Sequence, residues 1–122
     1  MEEKKLTLVL GASLKTERYS NKAIRELRKH EHPVLAVGLR EGKVGDVPIV
    51  KAIPADSQVQ TVTMYLNADN QEEWEKQVLA LHPERIIFNP GAENPGFAKQ
   101  AQQAGIETLE ACTLVMLGTG QF

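Results

Sequence analysis

The chain has 122 residues, of which 42% are apolar and 25% charged, with a formal net charge of −2. That suits one soluble domain spanning 1–122 and leaves no length for a second. Charges of both signs spread along the chain exclude a concentrated nucleic-acid face, and one cysteine, Cys112, excludes an internal disulfide.

The opening Met1-Glu2-Glu3-Lys4-Lys5 is charged and lacks the apolar core of a signal peptide. No apolar run nears the ~20 residues of a membrane span, so a reducing, cytoplasmic setting is expected. The first strand is predicted over Leu6–Gly11, apolar enough to be buried on both faces. It breaks at Gly11-Ala12-Ser13 and passes through Lys15 and Arg18. A helix follows over Asn21–His30 with Ser20 as its cap. A strand that ends in glycine and feeds a helix N-terminus is an anion site: outward N–H groups and the helix dipole both favour negative charge. Gly11, Ala12, Ser13, Lys15, Arg18 and Ser20 are therefore candidate ligand residues.

The second strand is predicted over Pro33–Leu39 and delivers Arg40 at its end. Folds of this kind that hold an unmodified NAD ribose place Asp or Glu there. A guanidinium suits a phosphorylated ribose instead, because it binds phosphate through two parallel hydrogen bonds. Gly38, Leu39, Arg40 and Lys43 join the candidates. Residues 41–50 read as a turn with a short extended piece at Val47–Val50, and a third strand is predicted over Thr61–Leu66.

A second helix is predicted over Gln71–Leu81, capped by Asn70 with Glu73 following, and with Trp74, Val78 and Leu81 toward the sheet. The fourth strand is Arg85–Asn89. Asn89 and Gly91 face the same edge as the first loop and complete the candidate ligand set. Asn94-Pro95 opens a third helix that runs to Ala104 and stops at Gly105. The fifth strand is Ile106–Ala111, and Thr113–Leu117 forms a last short helix before a Gly118-Thr119-Gly120 tail. The alternation gives an α/β domain: a doubly wound, mainly parallel five-stranded sheet with helices on both faces and ligands beyond the strands' C-terminal ends. Cys112 reads as a small packing residue. The three histidines and the cysteine show no metal spacing, and no catalytic residue is assigned.

With these residues placed, the chain resembles the small CoA-binding protein family. Those proteins are Rossmann-like and similar to the CoA-binding N-terminal domain of the succinyl-CoA synthetase α subunit. Leu8-Val9-Leu10-Gly11-Ala12-Ser13, Arg18-Tyr19-Ser20, Gly45-Asp46-Val47-Pro48-Ile49 and the strand from Gly105 to Cys112 carry the resemblance. The chain departs from it at Gly38-Leu39, where the family often has Asn-Pro, at Tyr65-Leu66, often an aromatic followed by Arg, and at Ala111, often Arg. The resemblance implies that Ser13, Lys15, Arg18 and Ser20 meet the CoA diphosphate. Gly38, Leu39 and Arg40 would lie along the adenosine, with Arg40 or Lys43 near its 3′-phosphate.

The expected function is non-catalytic binding of CoA or acyl-CoA. Two rivals stay open: a small NADP-dependent or CoA-transfer enzyme completed by a partner chain, and a regulatory module that has lost its ligand. The expected partner is a small nucleotide ligand, not nucleic acid or a membrane, and a homodimer or a protein partner remains open.

Overall fold

Side-chain alternation along the central strands sorts the apolar residues into two cores. Leu8 and Leu10 pack into one with Val62, Met64, Ile86 and Phe88. Val9, Ala36, Ile49 and Ile87 pack into the other. This is the pattern of a sheet covered on both faces.

The computed structural model describes residues 4–122; the charged Met1-Glu2-Glu3 opening lies outside them. Among the described residues seven strands form one sheet: β1 (Thr7–Ala12), β2 (Val34–Gly38), β3 (Gly42–Val44), β4 (Val47–Val50), β5 (Thr61–Met64), β6 (Arg85–Phe88) and β7 (Glu107–Glu110). Their spatial order is β3-β4-β2-β1-β5-β6-β7. All neighbours are parallel except β3 and β4. Helix α1 (Tyr19–Lys29) brings Ile24 and Leu27 to one face, where α5 (Thr113–Gly118) adds Met116 and Leu117. The other face takes Val78 from α3 (Glu75–Leu81) and Phe97 and Ala101 from α4 (Pro95–Gln103).

The α/β class and the mainly parallel sheet are as expected, with seven strands in place of five. The two extra strands are a hairpin within residues 41–50. Val44 pairs with Val47 across Gly45-Asp46, and Gly45 has φ +59°, the positive φ that a tight hairpin needs at its first central position. Arg28 of α1 anchors this hairpin. Its Nη2 and Nε donate to the Asp46 carboxylate at 2.9 and 3.1 Å. That pairing holds the Asp46 carboxyl below its ordinary range and raises the Arg28 guanidinium.

The second predicted helix is broken. It comprises α2 (Ala68–Gln71), a 3₁₀ turn over Glu72–Trp74, and α3. Its cap is Asn67, whose side chain accepts from the Asn70 amide at 2.9 Å; Asn70 itself lies inside the first turn. Ser20 is likewise inside α1, and Arg18 holds the capping position with no side-chain cap bond. The Asn94 cap of α4 is present, accepting from the Phe97 amide at 3.1 Å. The expected tail leads into a buried residue, Phe122, whose carbonyl accepts from Lys5 Nζ and from Arg85 Nη2.

The sheet order reverses at β1, which leads to β2 on one side while β5 lies on the other. Directly above this point the backbones of β1 and β2 crowd together. A Cβ on Gly38 would stand 2.2 Å from the Ala12 carbonyl oxygen, so only glycine fits. Gly38→Ala should destabilise the protein by roughly 1–3 kcal/mol through overpacking. Gly96→Ala should have the opposite sign, since it lies in α4 with Asn94 Oδ1 no nearer than 3.8 Å; a gain of roughly 0.4–1 kcal/mol is expected. Thermal unfolding of the two variants checks both signs.

Candidate functional site

The site begins with the break in β1. The register between β1 and β2 shifts between Leu10 and Ala12. Gly11 sits at the shift with φ +99°, and a Cβ there would press at 3.2 Å on the Tyr65 and Leu66 backbone. Glycine therefore satisfies both the dihedral and the close approach. The chain then rises as the Ser13–Arg18 loop, which α1 holds from below. Asn21 Nδ2 donates to the Ser13 carbonyl at 2.9 Å, Arg25 Nη2 to the Thr16 carbonyl at 2.9 Å, and Arg25 Nε to Asn21 Oδ1 at 2.9 Å. Ser13 Oγ accepts from the Lys15 amide at 3.1 Å. The loop is thus shaped before any ligand arrives. Its end is the N-terminus of an 11-residue helix with no acidic residue in its first turn, so the free amides and the dipole there favour an anion.

This loop divides two clefts. The larger, about 820 Å³, lies over β1 and β2. It brings together Gly11, Ala12, Ser13, Lys15, Arg18, Gly38, Leu39 and Arg40 from the sequence-predicted set. It adds Lys51, Asn70, Glu73, Leu66 and Trp74. Trp74, expected only in the core, packs against the core and lines this cleft as well. Among the described residues the ion pairs are Arg28–Asp46 and Lys29–Glu26. Lys15, Arg18, Arg40 and Lys51 therefore meet the cleft with their charges unpaired, against one carboxylate, Glu73. Lys43 is exposed on β3 and lines neither cleft. Gly91 also lines neither; its amide donates to Glu93 Oε1 at 3.0 Å.

The second cleft, about 590 Å³, lies over β5 and β6 beneath α5. It shares Gly11, Ser13 and Arg18 with the first and adds Tyr19, Ser20, Tyr65, Asn89, Pro90, Cys112, Leu114 and Val115. Its polar floor is committed to the protein. Asn89 Nδ2 donates to Thr63 Oγ1 at 2.8 Å and to the Met64 carbonyl at 2.9 Å, while its Oδ1 accepts from the Thr113 amide at 2.9 Å. The Thr63 and Thr113 hydroxyls bond each other at 2.7 Å. Asn89 is thus a positioning residue that ties the ends of β5 and β6 to the start of α5. Cys112 is half-buried and lines this cleft, where the sequence reading expected packing alone.

Among the residues missed by sequence reasoning, Lys51, Tyr65, Leu66, Pro90 and Cys112 come just after a strand end. That position was the available signal: in such sheets everything after a strand's C-terminus shares the ligand edge. His30, His32 and His82 line neither cleft, and among the described residues no helix is long and apolar enough to cross a membrane.

Known proteins share this fold. The family profile described as CoA binding domain matches residues 5–118. Among solved structures, one described as an uncharacterized protein has 40% identity and a TM-score of 0.95, covering 99% of this chain and 100% of that one. The cell-free ID.343 protein from Thermus thermophilus has 24% identity and a TM-score of 0.85, covering 98% of this chain and 91% of that one. The dinucleotide-forming acetyl-coenzyme A synthetase 1 of Ca. Korarchaeum cryptofilum has 11% identity and a TM-score of 0.72. It covers 88% of this chain and 26% of that chain, a likeness of fold. No curated protein matches the chain.

Tyr65 yields a pH test. Its hydroxyl is enclosed beside Thr63 and Thr113 and completes no hydrogen bond of its own. Burial pushes its pKa up to about 12, against the opposing pull of those two hydroxyls. The folded phenol then keeps a proton that the unfolded one releases near its ordinary value of 10.0. The stabilisation is complete below pH ~10 and is lost as pH rises toward ~12, up to roughly 2–3 kcal/mol. Tyr65→Phe should remove this part of the alkaline loss in denaturant titrations at pH 9–12, with little change at pH 7.

Proposed function

The chain belongs to the CoA binding domain family, and we propose that its ligand is CoA, bound along the sheet's C-terminal edge in both clefts. The observation that carries this reading is the set of unpaired cations, Lys15, Arg18, Arg40 and Lys51, around one cleft beside the α1 N-terminus. CoA carries two separated anionic groups, a diphosphate and a ribose 3′-phosphate. The donor set offers two matching centres. Lys15, Arg18 and the opening amides of α1 take the diphosphate. Arg40 and Lys51 take the 3′-phosphate, with Leu39, Leu66 and Trp74 as apolar walls for the adenine and Asn70 and Glu73 as polar groups at its edge. The fit also rests on the backbone: at Gly11 a side chain would press on the Tyr65 and Leu66 backbone beside the loop.

We read the role as binding without catalysis. Among the described residues the clefts hold no histidine, one carboxylate and one thiol, Glu73 and Cys112, and these two belong to different clefts.

Two measurements test the reading. CoA should bind about tenfold or more tighter than dephospho-CoA, from roughly 1.5–3 kcal/mol for a hydrogen bond to a charged group, taken at its lower end because Arg40 is exposed. Arg40→Ala with Lys51→Ala should bring the two affinities together; equal affinities in the unmodified protein would remove these residues from the site. Lys15→Ala with Arg18→Ala should weaken CoA binding at low salt while moving the apo-protein's stability by less than about 0.5 kcal/mol. Calorimetry at two salt concentrations separates these outcomes, and CoA affinity unaltered by the double substitution would overturn the phosphate site.

A further inference from the structure

Resting on that reading, we propose that Leu14, seated on Gly42, is the spacer between the two phosphate centres and gives the site a preference for a ribose 3′-phosphate over a 2′-phosphate. The two centres sit on separate pieces of chain. Lys15 and Arg18 belong to the Ser13–Arg18 loop. Arg40 and Lys51 stand at the two ends of the β3–β4 hairpin, just before β3 and just after β4. A long cationic side chain reaches a phosphate over a range of positions. Neighbouring ribose oxygens are told apart only if the two pieces are held at a fixed separation.

Helix α1 holds both pieces from below. Asn21, Arg25 and Arg28 recur at helical spacing along one side of it. Asn21 and Arg25 donate to the Ser13 and Thr16 carbonyls of the loop. Arg28 donates to the Asp46 carboxylate at the hairpin turn, and its Nη1 donates to the His32 carbonyl at 2.9 Å, so the guanidinium is fixed from two sides. The third contact joins the pieces directly. Leu14 is the one apolar residue of the Ser13–Arg18 loop. Its side chain belongs to neither core and is 40% exposed. It occupies the space over the bare Cα of Gly42, where a Cβ would stand 2.7 Å from Leu14 Cδ2 and 2.9 Å from Cδ1. The contact lies next to Lys15 in the chain and two positions after Arg40. Leu14, Lys15 and Arg40 all line the same cleft, so a change at this contact moves one phosphate centre against the other.

The probes are 3′,5′-ADP and 2′,5′-ADP, which differ only in the ribose oxygen that carries the second phosphate; the 5′-phosphate stands for the diphosphate. CoA is measured beside them, all by calorimetry on the intact protein. The unmodified protein should bind the 3′,5′ isomer about tenfold tighter. Leu14→Ala removes the spacer and should bring the two isomers within about threefold of each other. Gly42→Ala presses on the spacer from the other side. Its clash meets the ends of a flexible side chain, so the fold should persist while the preference falls. Leu14→Met, close in volume, should keep the preference. Thermal unfolding checks that each variant is folded. Equal binding of the two isomers by the unmodified protein, or a preference unchanged in either folded variant, overturns the spacer; CoA binding in the same experiment leaves the reading of the site standing. Affinity lost in equal proportion for both isomers shows a merely structural leucine and overturns the spacer as well. Failure of CoA itself to bind overturns the CoA reading and the spacer with it.

Discussion

The structure turns on one steric constraint: the Ala12 carbonyl and Gly38 approach so closely that no Cβ fits between β1 and β2. Because the strands crowd there, β1 cannot continue in register. It shifts at Gly11, whose φ of +99° turns the chain off the sheet. The Ser13–Arg18 loop that results stands directly over the point where strand order reverses, and it is this loop that makes two clefts of one sheet edge. A bulkier residue at position 38 would clash with the Ala12 carbonyl oxygen, and something must shift. The glycines at 11 and 38 therefore shape the two clefts through backbone geometry.

The two clefts owe their difference to what each side of the loop leaves unsatisfied. On the β2 side, Lys15, Arg18, Arg40 and Lys51 have no acidic partner in an ion pair. On the β5 side, the Asn89, Thr63 and Thr113 network uses its own hydrogen-bonding groups, so the surface above it is apolar. A buried polar group left unpaired costs more than a bond returns. Closing that network leaves a largely apolar cleft beside a charged one.

Much of this was legible in the sequence where the signal is local. The strand and glycine at Leu6–Gly11, the Asn94-Pro95 cap and the stop at Gly105 involve residues within a turn of each other, and the elements formed close to their expected bounds. The Gly45-Asp46 hairpin was equally local and was missed because its strands are only three and four residues long. Asn70 looked like a cap because Asn and Glu at that spacing form a capping box, yet Asn67 offered an equal side chain one turn earlier and took the role. The second cleft was legible only in part: Ser20 and Asn89 stood among the candidates, but the cleft's apolar walls did not. Tyr65, Asn89 and Cys112 are brought together by parallel pairing of β5, β6 and β7, contacts between residues more than 20 positions apart. No window of the chain contains them.

The charged cleft and the largely apolar one should respond differently to solution conditions. Exposed cations attract a phosphate weakly in water, and salt screens them over ~10 Å at 0.1 M. Their contribution to affinity is therefore small per charge unless the loop is already in place. Asn21 and Arg25 put it in place, with two hydrogen bonds of 2.9 Å from α1 side chains to loop carbonyls and a third, also of 2.9 Å, joining the two side chains to each other. Ordering a free loop on binding would cost about 1–2 kcal/mol for each residue fixed, enough to cancel the gain from several exposed charges. Apolar burial is not screened by salt. A ligand that engages both clefts thus draws its orientation from the charges and a salt-insensitive share of its affinity from the largely apolar cleft, and neither share is available unless the loop between them is held before binding.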